Sequence, residues 1–369
     1  MATARVSRVL TLSAVVALGL VLALGVAEIG LRAVEAMSHA ARPRGVVDSP
    51  KALNQKTAAG KRITPNLDIV VRGHPTSGRD VRVRTNRLGL RGAELPPRAP
   101  GELRILVLGD SITFGDYVDE DETYPARLEA RLRAAVPGRL VRVVNGGGPN
   151  LGTRDEAALL AELAPAVRPD LVLVGFYLND SVGQVGYPHV YHIPPWLRWS
   201  RLVQRAVVAW SRYPHRARFG SRYEWVPAFL ERRWVSDREA YDRLVALAVA
   251  DWGAAWREDS WPEVEEGFRR MLDLGRRWRF RVAAAAFPVS VQIESRVADD
   301  RPQRRFKALA DGLGIPSLDL LPVLASTRGR LFYDHCHLTP TGNAAVAAPL
   351  AEFVRALAGD QAPATPVSD

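Results

Sequence analysis

One cysteine, Cys336, stands in a chain of 369 residues, and that scarcity excludes any disulfide within the chain. Lysine is almost as scarce, present only at 51, 56, 61 and 307, so the formal charge of +10 is almost all arginine. The arginines are scattered along helical stretches and beside acids, as in Arg127, Glu129, Arg131 and Arg133. That pattern reads as solvated faces rather than a basic stripe. No nucleic-acid-binding motif accompanies them, so no nucleic-acid partner is expected; attraction to anionic polymers or lipid headgroups is a lesser reading. No G-x-S-x-G elbow occurs, which argues against an ordinary α/β-hydrolase. Outside Asp334-His335-Cys336-His337 no His or Cys cluster stands ready to complete a metal cage, since His189 and His192 lie in a long insertion. Neither a metal nor a cofactor is therefore expected.

With 47% hydrophobic and 24% charged residues, the composition is that of a globular protein. The length suits one large domain with an appendage, or two small domains.

The N-terminus is more telling. Arg5 and Arg8 precede Val9 to Ala27, a charge-free run closed by Glu28. As a helix it spans roughly 28 Å, about the hydrocarbon thickness of a bilayer. The run is long for a cleavable signal peptide, although small residues near Val26-Ala27 or Ser38-His39-Ala40 could be cut. An uncleaved anchor over about 9–27 within residues 1–37 is the expectation. With the arginines kept inside, the rest of the chain lies outside the cytoplasmic membrane, single-pass; secretion after cleavage is the alternative.

Residues 38–100 are rich in Arg, Pro and Gly without sustained periodicity and read as a stalk and a lead-in that packs on the domain edge, with 83–92 an extended piece and a turn. From 104 onward strand and helix signals alternate. Strands are expected at 104–108, 140–144, 171–174, 282–287 and 317–321. Helices are expected near 124–135, 153–164 (with a Thr153/Glu156 capping box), 262–278, 302–312, and after Thr339-Pro340. Continuous apolar strands between amphipathic helices imply an α/β domain with a five-stranded parallel sheet covered on both faces, over residues 101–180 and 262–369. Between Asn179 and the helix at 262 lie about eighty residues, far beyond the usual ~2–6-residue connection. Eight of the nine tryptophans sit in this stretch, at 196, 199, 210, 225, 234, 252, 256 and 261. It reads as a helical insertion over 181–261. Its tryptophans could form a small core of their own, stack on sugar rings or an acyl chain as a lid, or sit at the membrane surface.

Ligands bind such sheets at the carboxyl ends of the strands. Ser111 follows the first strand, Asn150 the second, Asn179 the third, and Asp334 and His337 the fifth, so all fall on one rim. A serine hydroxyl becomes nucleophilic when a base takes its proton. His337 is the candidate base and Asp334, three residues earlier, its orienting acid. The Ser111 N–H and Asn179 amide could hold an oxyanion, with a third donor from the loop Asn145-Gly146-Gly147-Gly148-Pro149-Asn150-Leu151-Gly152. Cys336, wedged between acid and base, reads as a buried small residue.

Over residues 104 to about 358 the chain resembles the SGNH (GDSL) esterase superfamily. The resemblance rests on Gly109-Asp110-Ser111, on Gly175 followed by Leu178-Asn179-Asp180, and on Asp334-His335-Cys336-His337-Leu338. It implies a flavodoxin-like three-layer sandwich, a Ser111–His337–Asp334 triad, and oxyanion donors from Ser111 N–H, the Asn179 amide and a residue of the second block. That block departs from the pattern, because Asn150 stands where the family has glycine. Asparagine tolerates left-handed backbone, so its N–H could still serve, with Gly148 or Gly147 as alternatives. The family's substrates include acetylated sugars and polysaccharides, lipids, thioesters and peptides. The expectation is a membrane-anchored serine esterase deacylating cell-envelope carbohydrate. A lipid or lysophospholipid esterase, a carbohydrate O-acyltransferase and a non-catalytic polysaccharide-binding protein are the alternatives.

Overall fold

The structure, a computed structural model, describes residues 2–40, 45–47, 53–57, 60–182, 193–219 and 223–359. His189 and His192, the start of the insertion and parts of the lead-in lie outside the described residues.

The chain opens with α1 (Ala2–Ala40), one continuous helix of 39 residues. Its segment Leu10–Met37 is long and apolar enough to cross a membrane, and none of its apolar window is buried against the protein. The helix thus continues well past the charge-free run that ends at Ala27.

The lead-in is more ordered than its composition suggests. It forms β1 (Gly45–Val47), a hairpin of β2 (Asn54–Thr57) and β3 (Gly60–Ile63), then β4 (Asp68–Val71) and β5 (Val81–Arg84). β4 pairs parallel with β1 and antiparallel with β5. The lead-in packs on the domain through a small three-stranded sheet that its composition did not suggest. Leu67, Ile69, Val71, Val81 and Val83 close a satellite core with Phe114 from the main domain. Beyond β5, Asn86 to Leu90 turn the chain and Arg91 inserts, pairing by a backbone bridge with Asn145.

The main domain starts at β6 (Leu103–Gly109), buried throughout, and the short α2 (Ser111–Phe114) follows at once. After α3 (Tyr124–Ala135) come β7 (Val141–Asn145), α4 (Thr153–Val167) and β8 (Leu171–Tyr177). The insertion holds α5 (Arg201–Phe219), α6 (Val226–Glu231) and α7 (Arg238–Leu247). The α/β alternation then resumes with α8 (Trp261–Trp278), β9 (Arg281–Phe287), α9 (Ser290–Glu294), α10 (Arg301–Gly312), β10 (Ser317–Asp319), α11 (Leu321–Ser326) and α12 (Pro340–Gly359).

The sheet order is β10-β9-β8-β6-β7, all parallel. In strand sequence this is 2-1-3-4-5, the flavodoxin-like doubly wound order. Because the order reverses after the second strand, right-handed crossovers place α3 on one face and α4 and α8 on the other. α3 packs with α12 and α4 with α8, giving three layers. Phe306 of α10 joins the second face, stacking on Phe176 at 4.4 Å.

Two details depart from expectation. The N-cap of α4 is Gly152, not Thr153, and the Thr153 hydroxyl and both Glu156 carboxylate oxygens lack a protein partner, so no Thr153/Glu156 capping box forms. The insertion's tryptophans are divided. Trp225, Trp234, Trp252 and Trp261 are buried in the main core rather than in one of their own, whereas Trp196, Trp199 and Trp210 are exposed.

The entry to β6 carries a fully buried ion pair. Arg104 donates to Glu102 through Nε at 2.7 Å and Nη2 at 3.0 Å, with side-chain exposures of 2% and 1%. Removing one partner leaves an uncompensated buried charge. Glu102→Ala is expected to cost about 3–5 kcal/mol, seen as a lowered urea midpoint at unchanged slope.

Candidate active site

The strand-to-helix turn after β6 fixes Ser111. Gly109 has φ of 153°, and a Cβ there would lie 2.1 Å from the Thr113 hydroxyl oxygen. Its register partner on β8 is Gly175, where a Cβ would meet the Tyr124 hydroxyl at 2.5 Å. Glycine at both positions leaves room for Thr113 and Tyr124 to pack down over the sheet beneath the turn. Asp110 then caps α2, accepting the Ile112 N–H at 2.8 Å, and sets Ser111 at the first helical position.

The serine and Asn179, in the turn Leu178–Val182 after β8, flank the point where strand order reverses. Ligands of open α/β sheets bind there. Asp334 and His337 arrive from farther away, on a loop beyond β10 and α11. A backbone bridge between Phe332 and Leu338 folds this loop into a tight clasp, and Ser290 N–H donates to the His335 carbonyl at 2.7 Å.

Ser111 Oγ lies 2.9 Å from His337 Nε2, and His337 Nδ1 lies 2.7 Å from Asp334 Oδ2. The other carboxylate oxygen accepts the N–H of Cys336 at 2.9 Å and of His337 at 2.8 Å. Backbone and side chain of the histidine are thus both fixed by one carboxylate. Burial alone would raise the Asp334 pKa, but the His337 imidazole, nearby His335 and the His337 N–H hold it well below the usual carboxylate range. Burial likewise works to lower the His337 pKa, and Asp334, helped by Asp116 and Asp110, outweighs it and raises the imidazole above its ordinary value.

Tyr117, His74 and Asp116 were not singled out by the sequence, and all three belong to the site. The Tyr117 ring stacks on His337 with centroids 3.8 Å apart, and His74 from the lead-in packs edge-on to Tyr117 at 4.6 Å. Asp116 is buried, and burial pushes its pKa up, against the pull of His337, His74 and Arg91. The Arg91 guanidinium braces this loop, donating to the carbonyls of Phe114 at 3.2 Å, Gly115 at 2.7 Å and Val118 at 2.7 Å. Adjacency of Asp116 and Tyr117 to the serine turn was the only signal for them in the sequence; His74 gave none.

A second acidic group lies deeper. Asp110, Asp155, Glu156 and Asp180 are all buried. Burial first, and then mutual repulsion with Asp110, push Glu156 and Asp180 well above the usual carboxylate range. Asp180 Oδ2 accepts the Tyr177 N–H at 2.8 Å and so shapes the turn that presents Asn179.

Of the oxyanion candidates, Asn179 is buried with its Oδ1 unpartnered. In the second-block loop, Gly147 N–H donates to Asn145 Oδ1 at 3.0 Å and Gly148 N–H to the Gly109 carbonyl at 3.0 Å. Those two groups are committed to the loop's own structure. Asn150 adopts φ of 62°, the left-handed conformation that asparagine tolerates.

Asp334, His335 and Cys336 also bring potential metal-ligand atoms within 4.8 Å of one another. The donor set suits a cation poorly. Burial pushes the Cys336 thiol well up, away from the thiolate a metal needs, the Asp334 oxygens hold His337, and the His335 ring packs against Trp225 at 4.6 Å.

No family model and no curated protein matches the chain. Among solved structures it is similar to TesA, at 15% identity and a TM-score of 0.41, over 69% of this chain and 99% of that one. It is similar to the acetyl xylan esterase AlAXEase at 14% identity and a TM-score of 0.38, over 68% and 99% of the two chains. An acetylxylan esterase from Geobacillus stearothermophilus, solved as a catalytic mutant, aligns at 17% identity and a TM-score of 0.39, over 68% and 93%.

Proposed function

We propose that this protein is an SGNH-type serine esterase, held at the outer face of the cytoplasmic membrane by α1 and deacylating cell-envelope carbohydrate. The observation that carries the esterase reading is the unbroken relay from Ser111 Oγ through His337 to Asp334, at 2.9 and 2.7 Å. The carbohydrate reading rests on the location that α1 suggests and on the family resemblance.

In this reading Ser111 Oγ attacks the ester carbonyl as His337 Nε2 takes its proton. The tetrahedral oxyanion is met by the Ser111 N–H, the Asn179 amide and the Asn150 N–H. Collapse breaks the acyl C–O bond, and His337 returns the proton to the departing alcohol. Water, deprotonated by His337, then attacks the acyl-serine, releasing the acid and restoring the serine. Asp334 keeps the histidine in the tautomer that leaves Nε2 as the acceptor, and its charge stabilises the imidazolium formed in each half. The stacked Tyr117 ring restricts the imidazole plane.

Ser111→Ala is expected to lower p-nitrophenyl acetate turnover by about 10⁴-fold or more with an unchanged far-UV spectrum. Retained turnover would remove the nucleophile. Asn179→Ala should lower kcat by about 10²–10³-fold with little change in KM. The base must be neutral to act, so activity is lost as pH falls through the raised His337 pKa. The acid limb of the kcat/KM profile is therefore expected above 6.5, and a limb below that value would contradict the Asp334–His337 coupling.

A further inference from the structure

Transmembrane helices are held in register by tryptophan and tyrosine rings at the water–lipid boundary, where one end of the ring is apolar and the other wet. Between Ala2 and Ala40, α1 contains no Phe, Trp or Tyr. Its apolar run ends at Glu28, and the insertion meets α1 at that residue.

The Glu28 carboxylate accepts the Arg201 N–H at 3.0 Å, the Leu202 N–H at 3.1 Å and the Ser200 hydroxyl at 3.1 Å. An acid at these donors caps the N-terminus of α5 and offsets its dipole. Arg32, one turn along α1, bonds Glu28 at 2.8 Å and donates to the Trp199 carbonyl. Glu35, a further turn on, pairs with Arg201 at 3.1 Å. The level of α1 at which its charge-free segment gives way to polar residues is therefore tied to residues 199–202. Trp196 is 71% exposed and Trp199 64% exposed, although four other tryptophans of the same insertion are buried. Exposed rings of this size are costly in water and favourable in a headgroup layer. Arginine lies beside them, with Arg32 partly exposed and Arg205 exposed on α5, as suits anionic lipid headgroups.

We infer that Trp196 and Trp199 supply in trans the aromatic belt that α1 lacks, seating the insertion in the lipid headgroup layer where α1 leaves the membrane. The inference rests on α1 being the anchor proposed above and goes beyond it. It identifies a second membrane contact, made by the folded domain, with a phospholipid interface as the partner. Glu28 locks helix and domain together, so the two contacts act as one rigid foot.

The test uses the full chain reconstituted into vesicles of phosphatidylcholine and phosphatidylglycerol, with nitroxide carried either on the headgroup or at the end of the acyl chain. Flotation reads the anchor and tryptophan quenching reads the belt, since α1 contributes no tryptophan of its own. The expected result is stronger quenching by the headgroup nitroxide, most of it lost in the W196F/W199F variant, which still floats and hydrolyses p-nitrophenyl acetate. Flotation without headgroup-selective quenching, or quenching unchanged in the double variant, overturns the belt and leaves the anchor standing. A chain that does not float overturns the anchor, and the belt falls with it.

Discussion

The site depends on one carboxylate doing three things. Asp334 accepts two backbone N–H groups of its own loop and the ring N–H of His337, so the loop's fold and the imidazole's orientation are one and the same constraint. Burial works to protonate the acid, and the His337 imidazole is the main influence that keeps it ionised, while the carboxylate in turn raises the basicity of that ring. The loop's clasp, its tie to Ser290 and the stacked Tyr117 ring all hold that carboxylate and imidazole where a serine 226 residues earlier in the chain can meet them.

The serine side is held by close packing instead. Gly109 and Gly175 leave room for Thr113 and Tyr124 where any side chain would collide, and the helix that follows begins on Ser111 itself. One half of the site is therefore positioned by absent side chains, the other by hydrogen bonds. Beneath both lies a set of buried acids, of which burial and like charge push Glu156 and Asp180 well above the usual carboxylate range, and Asp180 shapes the Asn179 turn.

Much of this was legible in the sequence. Strands buried on both faces, such as β6 and β8, are written as unbroken apolar runs, and their order along the chain placed Ser111, Asn179, Asp334 and His337 on one rim before any coordinates. The lead-in was not legible, because strands as short as β4 and β5 carry too few residues to establish a period. A Thr-x-x-Glu pattern suggested a capping box at α4, yet a glycine caps that helix and Glu156 turns inward, since tertiary burial overrides a local signal worth about 1 kcal/mol. The tryptophans could not be sorted either. Trp225 and Trp199 look alike in composition, and only the long-range fold decides that one packs on His335 while the other faces outward. His74 was invisible for the same reason, its partner Tyr117 lying on an element reached through a different part of the chain.

The ordered lead-in has a consequence for where this chemistry can operate. Because β4, β5, His74 and Arg91 are built into the loop beside Ser111, residues 68–91 belong to the domain that carries the site. If α1 is fixed in a bilayer, the Glu28 contacts with α5 keep the domain close to that surface. Under the proposed function, ester groups far from that surface would then stay out of range, and turnover would be governed by how readily substrate drifts past a stationary mouth.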